Sequence, residues 1–137
     1  MTRHERSRFS VPIRVYWEDT DAAGIVFYAN YLKYFERARS DWLRSVGVGQ
    51  EALRRDSRVA FVVSASSLRY RRPARLDDVV DVSVEVVHLG QASLEIAQEA
   101  RRAEELLAEG TIRIGCVDLG TFRPCRIPND IRMSIHR

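Results

Sequence analysis

A chain of 137 residues, 45% hydrophobic and 30% charged, suits one globular domain with its own core and excludes a disordered or fibrous protein. No apolar run nears the ~20 residues that a membrane-crossing helix needs, and Met1 to Ser10 is polar and basic without a signal-type apolar stretch, so one domain over residues 1–137 in the cytoplasm is the expectation. The net charge of +3 comes almost wholly from arginine, with lysine only at Lys33; it suits an anionic ligand and is too mild to call for nucleic acid.

Residues 11–17 alternate, so Val11, Ile13, Val15 and Trp17 are expected on one face of a first strand. Pro12 has no amide to give to a ladder, which places that strand at the edge or end of a sheet. A polar, turn-forming stretch follows from Glu18 to Gly24. Next, Tyr28, Tyr31, Leu32, Phe35, Ala38, Trp42 and Val46 recur at helical spacing, with Lys33, Glu36, Arg37, Ser40 and Arg44 opposite them. The spacing predicts a long helix from Tyr28 or Asn30 to Val46. Asn30 is its N-cap by residue type, and Gly47 stands just past its end. Residues 50–56 are expected to add a helical turn.

The period then changes. Residues 59–72 predict a long strand. Residues 79–89 predict another, with Val80, Val82, Val84 and Val86 on one face and Asp81, Ser83 and Glu85 on the other. Residues 92–102 and 105–118 continue the pattern, with Leu94, Ile96, Ile112, Ile114 and Cys116 facing in. Short breaks at 74–78, 89–91 and 103–104 predict antiparallel neighbours, hence a four-strand meander. Residues 128–135 predict a short terminal helix with Pro128 near its start. The expected class is α+β: a curved antiparallel sheet wrapped around one long central helix. Its edges and outer face would still want cover, which points to a dimer or tetramer.

Most routes to chemistry are closed by residue type. The histidines are His4, His88 and His136; two fall near the chain ends, and no Gly-x-Ser-x-Gly elbow accompanies His88. Glycine-rich phosphate loops and metal-ligand spacings are absent from the sequence. Cys116 and Cys125 form no Cys-x-x-Cys unit and fit buried, inert thiols. What remains is the polar turn with Asp19, Asp21 and Gly24. Carboxylates before a helix commonly form turns or caps. They can also act as base or nucleophile toward a carbonyl held at the helix N-terminus, where unpaired amides attract developing negative charge. Gly24 permits a sharp bend between the two.

The run from Tyr16 to Tyr31, Tyr-Trp-Glu-Asp-Thr-Asp-Ala-Ala-Gly-Ile-Val-Phe-Tyr-Ala-Asn-Tyr, resembles the signature of hotdog-fold thioesterases. It is most similar to the 4-hydroxybenzoyl-CoA branch and its bacterial tol-pal-associated acyl-CoA thioesterases. The likeness continues through Leu32 to Arg39, Arg72 to Asp78, and Cys116 to Asp118, with Arg123-Pro124 and Ile127-Pro128 behind. The resemblance implies a hotdog fold and hydrolysis of acyl-CoA to free acid and CoA, with acyl carrier protein as the other conceivable carrier. It implies no cofactor and no metal.

By motif position the resemblance makes Asp21 the catalytic carboxylate, Asp19 a structural neighbour, and the Tyr28 amide the oxyanion donor. It sets Gly24, Val26, Phe27, Tyr31 and Arg72 against the substrate, although Tyr31, Phe35 and Trp42 fit a core by type alone. Many tol-pal-type members carry histidine where Tyr28 stands, and the 4-hydroxybenzoyl branch carries tyrosine; the choice between aliphatic and aromatic acyl groups therefore stays open. Arg69, Arg71, Arg72 and Arg75 form a basic cluster that suits either a solvated face or the CoA phosphates. Two rival functions remain: a hotdog hydroxyacyl dehydratase, which would want a histidine in the motif, and a non-catalytic acyl-CoA-binding module, which would gain nothing from Asp21.

Overall fold

Period-two alternation over five segments builds one antiparallel sheet in the computed structural model, which describes residues 8–136; His4 lies outside that range. The strands are β1 (Phe9–Arg14), β2 (Val59–Tyr70), β3 (Val79–Leu89), β4 (Ser93–Arg102) and β5 (Glu105–Asp118). Their order across the sheet is β1-β3-β4-β5-β2. Val80, Val82 and Val84 of β3, Leu94 and Ile96 of β4, and Ile112, Ile114 and Cys116 of β5 are buried on the inner face. Val86 is partly buried there.

The long helix α1 (Asn30–Ser45) rests on β1 and β3. It buries Tyr31, Tyr34, Phe35, Ala38, Trp42 and Leu43, a stripe at three- and four-residue intervals. Phe35 is fully buried, and cutting it to alanine would cost about 3–5 kcal/mol. Gln98 ties helix to sheet from within: its Nε2 donates to the Phe35 carbonyl at 3.0 Å, and its Oε1 accepts from Arg39 at 2.9 Å. At the far end Gly47 has φ +86°, which any side chain would strain. The Gly47 amide donates to Arg44 and the Val48 amide to Leu43, so the last carbonyls are satisfied as in a Schellman motif. A short helix α2 (Gln50–Ala52), a π turn (Leu53–Ser57) and a terminal helix α3 (Asn129–His136) complete the chain.

Three expectations are corrected. First, the four later strands are not one meander. Only β3, β4 and β5 are consecutive neighbours; β2 lies at the edge beyond β5, and β1 takes the edge beyond β3. Residues 71–78 carry the chain across that distance. Eight extended residues reach roughly 26 Å, and three strand spacings need only about 14 Å. Second, Trp17 does not continue β1. The chain leaves the strand at Arg14 and enters a 3-10 turn, Trp17–Asp19, where Trp17 is 77% exposed. Third, Asn30 is the first helical residue and Ala29 the N-cap, with no side-chain cap.

Candidate active site

The polar turn is folded back on itself and pinned by backbone bonds. Thr20 and Val26 form an antiparallel bridge, and the Asp21 amide donates to the Ile25 carbonyl at 2.9 Å. Gly24 closes the tip with φ +76°, its amide donating to the Asp21 carbonyl at 3.0 Å. The Asp21 side chain is exposed. Its Oδ1 accepts the Ala23 amide at 2.8 Å, while its Oδ2 accepts from nothing among the described residues.

Asp19, two residues earlier, is turned inward. Its Oδ2 accepts the Tyr16 amide at 2.9 Å, and its carbonyl accepts the Phe27 amide at 3.0 Å. The Tyr34 hydroxyl is fully buried and faces the Asp19 carboxylate, but no acceptor among the described residues meets it in hydrogen-bond geometry. Burial first, and the Asp19 carboxylate second, hold that phenol well above its ordinary pKa.

The start of α1 is open. Asn30, Tyr31 and Leu32 donate three residues back, to Phe27, Tyr28 and Ala29. The amides of Tyr28 and Ala29 find no acceptor among the described residues. Unpaired amides at the positive end of a 16-residue helix form a place for negative charge.

The crossover 71–78 closes the other side. Val26 donates to the Ala74 carbonyl at 2.8 Å, Ala74 donates to the Tyr31 hydroxyl at 3.3 Å, and Ile25 bridges Arg75. Val26 and Tyr31 are therefore buried supports of the turn, 5% and 3% exposed. Burial raises the Tyr31 phenol, against the opposing pull of the Ala74 amide. Phe27 and Tyr28 are exposed and packed together, with ring centres 4.8 Å apart. Tyr70 of β2 meets both Tyr28, at 5.9 Å, and Tyr31, at 5.6 Å. Tyr70 was not among the sequence candidates. Its signal was its place on the inner face of β2, whose position in the sheet the sequence does not reveal. Arg72 points to Glu105 at 3.3 Å, and Arg71 to Glu109 at 2.9 Å. Arg69 and Arg75 have no ion pair among the described residues, and Arg75 is the one opposite Ile25.

Farther along α1, roughly 9–20 Å from its start, a cavity of about 280 Å³ opens between the helix, the inner face of β2 and α3. Trp42, Leu43, Phe61, Leu94, Ile114 and Ile135 give it apolar walls, and Arg39 lies at its side. Among the described residues no cluster of His, Cys, Asp or Glu could hold a metal ion. Cys116 and Cys125 are free, with Sγ atoms 3.6 Å apart; burial and then Cys125 push the Cys116 thiol up to about 12.

Residues 15–135 match the thioesterase-like superfamily. The chain is 39% identical over 128 residues to the acyl-CoA thioesterase YbgC of Haemophilus influenzae, covering 93% of this chain and 94% of that one. It is 41% identical over 124 residues to the acyl-CoA thioester hydrolase YbgC of Escherichia coli O6:H1, covering 90% and 92%. Among solved structures, a hypothetical protein from Thermus thermophilus superposes with a TM-score of 0.86 at 33% identity, covering 93% of this chain and 96% of that one. The fold is shared with a 1,4-dihydroxy-2-naphthoyl-CoA thioesterase from Synechocystis, TM-score 0.87 at 23% identity, covering 94% and 96%. With its five-stranded sheet, its single long helix and this match over most of its length, the chain belongs to the thioesterase-like superfamily and has the hotdog fold.

Proposed function

We propose that the protein hydrolyses acyl-CoA thioesters to a free acid and CoA. The observation that carries the reading is the Asp21 turn. It holds an exposed carboxylate with one oxygen unengaged among the described residues, on the same pinned loop that leads into the Tyr28 amide, which has no acceptor among them either. The amide takes the thioester oxygen and stabilises the negative charge that develops when the carbonyl carbon is attacked. Asp21 supplies the attack in one of two ways. As nucleophile it forms an acyl-aspartyl anhydride, the C–S bond breaks, CoA leaves as thiolate and takes up a proton, and water then cleaves the anhydride. As base it takes a proton from a water that attacks directly, and the C–S bond breaks from the same tetrahedral centre. Phe27, Tyr28 and Gly24 border the reacting carbonyl, the cavity along α1 is the space offered to the acyl group, and arginines beside the crossover meet the anionic end of CoA.

Thiol release from a panel of aliphatic and aromatic acyl-CoAs tests the reaction. Turnover of at least one class is expected. Binding of acyl-CoA with no thiol released from any of them would replace the enzyme with a binding module.

A further inference from the structure

Asparagine is among the best N-cap residues. Yet Asn30, at the first position of α1, caps no amide among the described residues. Its Nδ2 instead reaches eleven residues back and donates to the Asp19 carbonyl at 2.9 Å. That oxygen also takes the Phe27 amide at 3.0 Å. One atom thus joins three points: the turn two residues before Asp21, the residue before Tyr28, and the first residue of the helix. The joint has a fixed base, because the Asp19 carboxylate is committed to the Tyr16 amide and faces the buried Tyr34 hydroxyl.

We infer that Asn30 is a positioning residue for the thioester reaction, its carboxamide holding the Tyr28 amide and the Asp21 turn in one fixed relation through the Asp19 carbonyl. The inference rests on the proposed hydrolysis. Two consequences follow from the bond. The helix entry at Phe27, whose amide shares the Asp19 carbonyl with Asn30, is held in place, and with it the Tyr28 amide that follows. The loop from Thr20 to Val26 also gains a side-chain tie to the helix. Displacing a reacting group by about 1 Å is worth on the order of 100-fold in rate, so a tie at this joint acts on turnover more than on binding.

A residue that merely starts a helix would behave otherwise. Aspartate caps as well as asparagine does and is favoured by the helix dipole. It cannot donate to a carbonyl, however. The test measures kcat, KM and Tm for Asn30→Asp and Asn30→Ala, with an acyl-CoA that the wild-type protein turns over. The expected result is a kcat lower by roughly 10- to 100-fold in both, with KM within about twofold of wild type and the Tm of Asn30→Asp lower by only a few degrees, as the loss of one hydrogen bond implies. Wild-type kcat in either folded variant overturns the inference, as does a change confined to KM. Should Asn30→Ala lose its cooperative melting transition, Asn30→Asp decides alone. The reading of Asp21 stands or falls separately: wild-type kcat in Asp21→Asn removes it whatever the Asn30 variants do.

Discussion

The Asp21 carboxylate accepts the Ala23 amide through Oδ1 at 2.8 Å, so the residue does serve as the turn former that its type suggests. Asparagine can make the same bond through its side-chain oxygen. Asp21→Asn should therefore keep the turn, the fold and substrate binding. It should lose hydrolysis, by ~10²–10⁴-fold if Asp21 is a general base and by more if it is the nucleophile. Asp19→Asn is the control: its side chain meets the Tyr16 amide, which a carboxamide oxygen also accepts, and the effect should be milder. Steady-state thiol release with circular dichroism checks both. Near-normal kcat in a natively folded Asp21→Asn protein ends the mechanism.

Two of the four clustered arginines are already engaged, Arg71 with Glu109 and Arg72 with Glu105. Arg75 has no ion pair among the described residues, and it lies across from Ile25 of the site turn. If the cluster meets CoA phosphates, Arg75→Ala should raise KM several-fold and leave kcat nearly unchanged. The effect should shrink as salt rises, because exposed charges are screened. Arg72→Ala should do less. A KM that stays at the wild-type value at low ionic strength takes Arg75 out of the site.

β2 is a 12-residue edge strand with little covering it: Val62 is 43%, Val63 50% and Tyr70 47% exposed. An open edge of this length with apolar side chains invites pairing with another chain. The expected assembly is a dimer at least, closed by a two-fold axis along this edge, which would also bring a second chain beside Tyr70 and Tyr28. Light scattering at micromolar concentration should give at least twice the 15.8 kDa chain mass, and Val63→Lys should lower it. A monomeric mass for the wild-type protein would count against the assembly.

Helix and strands were legible because each buries one face, and burial leaves a period in the sequence. The stripe from Tyr31 to Leu43 and the alternation from Val80 to Val84 place those elements to within a residue or two. The partner of β2 was not legible. Alternation says that a residue is in a strand and which way it faces, but not that Val59 will lie opposite Asp118, 59 positions away. Tyr70 was missed for that reason. Asn30 was misread because residue type favours a cap, whereas its long-range bond to Asp19 depends on how the loop folds back. Likewise, four neighbouring arginines look alike until Glu105 and Glu109 are seen to occupy two of them.

Asp78 offers a pH test of the crossover that supports the site. Its Oδ2 accepts the Arg75 amide at 2.8 Å and the Arg102 guanidinium at 2.5 Å, while its carbonyl takes the Val15 amide. Partial burial pushes the carboxyl up, but the Arg75 amide and Arg102 outweigh it and hold its pKa below the ordinary carboxylate range. A depressed folded-state pKa means that the charged form favours folding. The contribution is complete above the unfolded value, near 3.9, and is lost as pH falls through the folded one. Asp78→Asn should thus cost about 1 kcal/mol at pH 7, and the gap to wild type should narrow steadily below about pH 4. Urea midpoints at pH 7 and pH 3 measure it. A gap just as wide at pH 3 would mean that Asp78 acts through its shape alone and that its ion pair with Arg102 contributes nothing.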